Sequence, residues 1–68
     1  MKIIKFNRYL YPLKIIKSAI NDYNHLAKFK LEIKKDYVIV TLDKINANVK
    51  NAIQDEFCNY VLANIRNY

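Results

Sequence analysis

Four residues of this 68-residue chain could do acid–base, nucleophilic or metal chemistry: His25, Cys58 and the adjacent pair Asp55 and Glu56. An isolated imidazole can serve as a general base. It also suits the C-terminal end of a helix, where a cation is favoured, and that reading accounts for His25 without chemistry. Cys58, the only cysteine, has no histidine or paired acid beside it in sequence and reads as a core or interface residue. Neighbours on a helix point about 100° apart, so Asp55 and Glu56 do not form an acid–base pair. In the first half of a helix they complement its dipole instead. Cys58 and His25 cannot make a structural zinc site without further ligands. The chain holds no glycine, which removes the phosphate-cradling loops that need close backbone approach. No catalytic, cofactor-binding or metal-binding residue is assigned, and the expectation is a protein that is not an enzyme.

Binding remains. The densest basic patch is Lys28, Lys30, Lys34 and Lys35, which could face an acidic peptide or nucleic acid. Lysine on an edge strand also discourages aggregation, which explains the same residues more simply. The net charge is +6, yet ten of the twelve basic residues are lysine, with Arg8 and Arg66 the exceptions. Excess Lys, Ile, Asn and Tyr is what codon bias in an AT-rich genome produces. Nucleic-acid surfaces favour arginine for bidentate contacts, so nucleic acid is the alternative partner and not the first.

The elements that must position these residues follow from periodicity. Lys2 to Asn7 reads as a strand. Pro12 suits the first position of a helix, and Leu13, Ile16, Ala19, Ile20, Tyr23, Leu26 and Ala27 recur at helical spacing over roughly residues 12–26. Phe29, Leu31 and Ile33 alternate with Lys28, Lys30, Glu32 and Lys34, the period of a half-buried strand. Lys35-Asp36 marks a turn, in which Asp tolerates the left-handed region. Tyr37 to Leu42 is apolar on both faces and suits a central strand. Asn46, Asn48 or Asn51 could cap a last helix over roughly residues 47–67.

The expected fold is therefore a single α+β domain over residues 1–68, ordered β-α-β-β-α. It is a two-layer sandwich with a three-stranded, mostly antiparallel sheet in order 1-3-2 and both helices on one face. The other face would carry Ile3, Lys5, Lys30, Glu32, Tyr37, Ile39 and Thr41. A six-residue strand spans about 20 Å and the last helix about 30 Å. The helix should overhang the sheet, leaving Ile65 and Tyr68 in want of a second surface. A core this small contributes about 3–5 kcal/mol, which favours a protein partner or a homodimer. No apolar run suits a signal peptide or a membrane span, so the expected location is cytoplasmic, with no membrane partner.

On the last helix Glu56, Asn59, Ala63 and Arg66 share one stripe beside the apolar stripe of Phe57, Tyr60, Val61, Ile65 and Tyr68. The passage Tyr9-Leu10-Tyr11-Pro12-Leu13-Lys14-Ile15-Ile16-Lys17-Ser18-Ala19, the strand Tyr37 to Leu42, and Glu56-Phe57-Cys58-Asn59-Tyr60-Val61-Leu62 with Arg66 resemble the HxsD-like family. These are the small D-type proteins of the His-Xaa-Ser system, short bacterial proteins encoded beside radical S-adenosylmethionine enzymes of peptide modification. The chain departs from the family at Tyr68, past which members carry a further segment. The resemblance implies a non-catalytic companion that binds a precursor peptide or a radical enzyme. Candidate contact residues are Lys28, Lys30, Lys34, Lys35, Glu56, Asn59, Arg66 and Tyr68. A peptide could add as a strand to a sheet edge, with the lysines suiting an acidic one. A basic nucleic-acid-binding protein and a self-associating homodimeric module are the alternatives.

Overall fold

Three strands in the order β1-β3-β2 form the floor of the molecule, described for residues 1–66 in a computed structural model. The elements are β1 (Lys2–Asn7), α1 (Leu13–Tyr23), β2 (Lys28–Ile33), β3 (Tyr37–Asp43) and α2 (Ile53–Arg66). Both outer strands run antiparallel to β3, Lys2 opposite Leu42 and Lys28 opposite Asp43. The fold is the expected α+β arrangement. Its core joins one side-chain row of β1 and of β3 to the inner faces of both helices, Ile4, Phe6, Val38, Val40 and Leu42 with Ile15, Ile16, Ala19, Ile53, Phe57 and Val61, and Phe29 and Leu31 of β2 pack against its margin. Both helices thus cover the same side of the sheet.

Local chemistry sets the element ends. Asn7 closes the turn after β1: its carbonyl accepts the N–H of Leu10 and Tyr11, and its Oδ1 accepts that of Tyr9 at 2.8 Å. Pro12 stands one position earlier than expected, at the cap, with φ −57° and ψ 134°. Its carbonyl takes the N–H groups of Ile15 and Ile16. Helix α1 stops at Tyr23 and not near residue 26, because the Leu26 N–H turns back to the Tyr23 carbonyl. β3 ends at Asp43, whose Oδ1 accepts the N–H of Lys44 at 2.9 Å. Lys44 is the one non-glycine residue with positive φ (48°) among the described residues, so Asp36 does not take the left-handed form.

The last helix needs a larger correction. Asn46 caps no helix; its Oδ1 accepts the Asn48 N–H at 2.9 Å, forming a local turn. Val49 bonds back to Asn46, and Ala52 and Ile53 to Val49. The regular helix therefore begins at Ile53 and spans about 21 Å, close to the length of β3. The expected two-turn overhang is absent, and Ile65 is half-buried against the core. Tyr68 lies outside the described residues.

A cross-helix bond adds a pH-dependent tie. The Tyr60 hydroxyl donates to Asp22 Oδ2 at 2.6 Å. That bond holds the Tyr60 hydroxyl above its ordinary pKa of 10.0. Tyr23, tilted against Tyr60 with ring centroids 5.2 Å apart, is also pushed up, by burial and then by Glu56. A raised folded pKa means that the neutral form is the one stabilised. This contribution is complete below about pH 10 and is lost as pH climbs through the raised values. Tyr60→Phe should lower the melting temperature at neutral pH and shrink the further loss between about pH 9 and 11. Equal alkaline slopes in the two proteins would remove Tyr60 from this account.

Candidate partner-binding surface

The strand period divides the predicted basic residues. On β2 Phe29 and Leu31 pack against the core, so Lys28, Lys30 and Glu32 point to the opposite, uncovered face of the sheet. Register adds Thr41 beside Lys30, Ile39 beside Glu32 and Asp43 beside Lys28. β1 contributes Ile3 and Lys5, and the Lys5 ammonium sits 4.6 Å from the centre of the Tyr37 ring. This is the mixed face the alternation predicts. It exposes Met1 (81%), Ile3 (59%) and Tyr37 (42%), and a shallow hollow of about 360 Å³ lies among Met1, Lys28, Lys30, Glu32, Thr41 and Asp43.

The four lysines are not equivalent. Lys34 Nζ lies 2.6 Å from Glu32 Oε1, which offsets its charge. Lys35 stands at the hairpin tip, where its carbonyl and that of Lys34 accept from Arg8 Nη1 at 3.4 and 2.8 Å. Lys28 and Lys30 are exposed and form no ion pair among the described residues. Lys28 also borders a second hollow, of about 490 Å³, with His25, Lys44 and Asn46. The Asn46 N–H donates to the Leu26 carbonyl at 2.8 Å there, tying the α1–β2 and β3–α2 connections together.

Glu56, Asn59, Ala63 and Arg66 are all exposed, and the core face of α2 is Ile53, Phe57 and Val61. The stripe therefore lies on the helix layer and the lysine row on the opposite side of the sheet. The two sets of candidates do not converge on one site. Arg8 was missed, and so was the partial exposure of the inner row of β2. Alternation shows which residues point inward, but only the placement of the helices shows how far they are covered.

Cys58 is half-buried on α2, and burial, then Asp55, pushes its thiol above the ordinary value of 9.0. Thiolate is the reactive form. Alkylation by iodoacetamide at neutral pH should run at least about tenfold slower in the folded chain than in urea; equal rates would mean an accessible thiolate. Among the described residues no group of three or more His, Cys, Asp or Glu could hold a metal ion. No helix there is long and apolar enough to cross a membrane.

Among the described residues, fold and surface define a small two-layer α+β domain with one uncovered sheet face and two free strand edges. Neither a family model, a curated protein nor a solved structure matches the chain.

Proposed function

We propose that this chain is a non-catalytic, cytoplasmic accessory protein. It binds a peptide or enzyme partner in a radical S-adenosylmethionine peptide-modification system. The observation that carries the reading is the free, lysine-bearing edge strand β2, with Lys28 and Lys30 exposed and unpaired among the described residues. An edge strand offers main-chain groups to an added strand, and exposed lysines outside any ion pair favour an acidic one. The resemblance at Tyr9–Ala19, Glu56–Leu62 and Arg66 supports the choice of pathway. Calorimetric titration with the precursor peptide and the radical enzyme of such a system should give saturable binding. No heat at high micromolar concentration of either would sink the reading.

Self-association is the second reading, favoured by Met1, Ile3 and Tyr37 on the uncovered sheet face. It predicts a dimer mass by light scattering. A monomer at high concentration excludes it.

A further inference from the structure

The two edges of the sheet differ in what they offer. In an antiparallel pair, opposed residues alternate between those that exchange hydrogen bonds and those that do not. The Lys34 N–H donates to the Tyr37 carbonyl at 2.8 Å, which fixes the phase along β2. Lys28, Lys30 and Glu32 direct their peptide groups toward Asp43, Thr41 and Ile39. Phe29, Leu31 and Ile33 direct theirs outward, to the free edge. At the other edge the Arg8 N–H donates to the Asp36 carbonyl at 3.0 Å. By the same alternation Ile3, Lys5 and Asn7 carry the outward peptide groups of β1.

Side-chain cover differs too. On β1 the inner residues Ile4 and Phe6 are only 7% and 4% exposed, so the helices close over that edge. On β2 Phe29 and Leu31 are half-buried and Ile33 is 46% exposed. The helix layer stops short of β2 and leaves an apolar shelf beside the outward peptide groups. On the other side of the same strand lie Lys28 and Lys30.

We propose that the β2 edge docks an extended peptide segment in which apolar residues alternate with polar ones, acidic where they face Lys28 and Lys30. This rests on the partner-binding reading above and names its ligand class. Residues of the incoming strand opposite Phe29, Leu31 and Ile33 share their side of the sheet and meet the shelf, so they are apolar. On the other side of the sheet the residues opposite Lys30 and Lys28 are acidic, and the one opposite Glu32, whose charge Lys34 offsets, is uncharged. Main-chain bonds supply affinity and the alternation supplies selectivity. A second copy pairing antiparallel about Leu31 would set Lys30 against Glu32 but Lys28 against Lys34 at each end; a dimer mass by light scattering that Ile33→Pro abolishes would assign the edge to self-pairing and overturn the proposal. β1 offers no comparable shelf, and Lys5 lies in its outward row.

The test is an amide NMR titration of the full chain with the synthetic peptide Val-Thr-Val-Glu-Val-Glu, about six residues long, whose glutamates face Lys30 and Lys28 when it pairs antiparallel to β2. The control replaces glutamate by lysine. The expected result is shifts and slowed hydrogen exchange at the Phe29, Leu31 and Ile33 amides, with the glutamate peptide at least about tenfold tighter. Ile33→Pro removes an outward N–H that the sheet does not use, and proline is tolerated at such edge positions. It should keep the fold and weaken binding about tenfold. Methylating the peptide's bonding amides should do the same without altering the protein. Equal affinity for both peptides, or shifts away from β2, overturns the proposal. If the natural partner binds but perturbs Glu56, Asn59 and Arg66 instead, the edge assignment fails and the partner-binding reading stands. If no peptide or enzyme partner binds, both fall.

Discussion

Phe57→Ala is expected to abolish the cooperative unfolding transition at room temperature. Phe57 is fully buried, and its ring contacts one aromatic ring from each of three other elements. The centroids lie 5.2 Å from Phe29 on β2, 5.6 Å from Tyr23 on α1 and 6.2 Å from Phe6 on β1. Truncating a core phenylalanine costs about 3–5 kcal/mol through lost transfer energy and the cavity left behind. A chain of this size has about 3–5 kcal/mol of net stability to lose, so the loss is comparable to the whole. Phe57→Leu fills most of the volume and should cost about 1–1.5 kcal/mol. Urea titrations followed by far-ultraviolet circular dichroism would separate the two. A sloping, non-cooperative curve for the alanine variant beside a shifted but sigmoidal one for the leucine variant is the expected pattern. An alanine variant that loses less than about 1.5 kcal/mol would mean that the site collapses around the deletion.

The same residue shows why much of the fold was legible. Phe57, Val61 and Ile65 recur at helical spacing, Phe29 and Leu31 at strand spacing, and each pattern can bury its apolar members in only one way. β3, apolar on both faces, had to be central, which fixed the strand order. What stayed hidden depends on competition or on distant partners. Asn46, Asn48 and Asn51 are all capable caps, and sequence cannot say which will bond where. The Asn46 side chain turned to Asn48, the helix began at Ile53, and the case for an overhanging end disappeared. In the candidate site the outward lysines follow from alternation. The shelf at Phe29, Leu31 and Ile33 does not, because it depends on how far the helix layer reaches across the sheet.

Arg8→Ala should destabilise the protein by about 1–2 kcal/mol, although Arg8 is an exposed residue outside the core. The reason lies in the missing glycine. A tight two-residue hairpin loop uses a type I′ or II′ turn, which needs positive φ at one or both central residues. Neither Lys35 nor Asp36 has it. Lys34 still donates to the Tyr37 carbonyl, but the Lys34 carbonyl is taken by Arg8 Nη1 at 2.8 Å, with Lys35 O at 3.4 Å. The Tyr9 hydroxyl adds a bond to Asp36 Oδ1 at 3.2 Å. A side chain from the end of β1 thus closes the hairpin of β2 and β3. For a domain this small the expected fall in melting temperature is about 5–15 °C. Arg8→Lys keeps the charge but loses the planar fork and should recover less than half of the loss. The decisive comparison is with Lys35→Asn/Asp36→Gly, which supplies a type I′ sequence and returns the Lys34 carbonyl to a backbone partner. In that background Arg8→Ala should cost much less, a coupling of about 1 kcal/mol in a double-mutant cycle. Additive effects would show that Arg8 acts elsewhere. Because Ile33 ends the strand just before this turn, loosening the tip should also weaken capture of a peptide along β2.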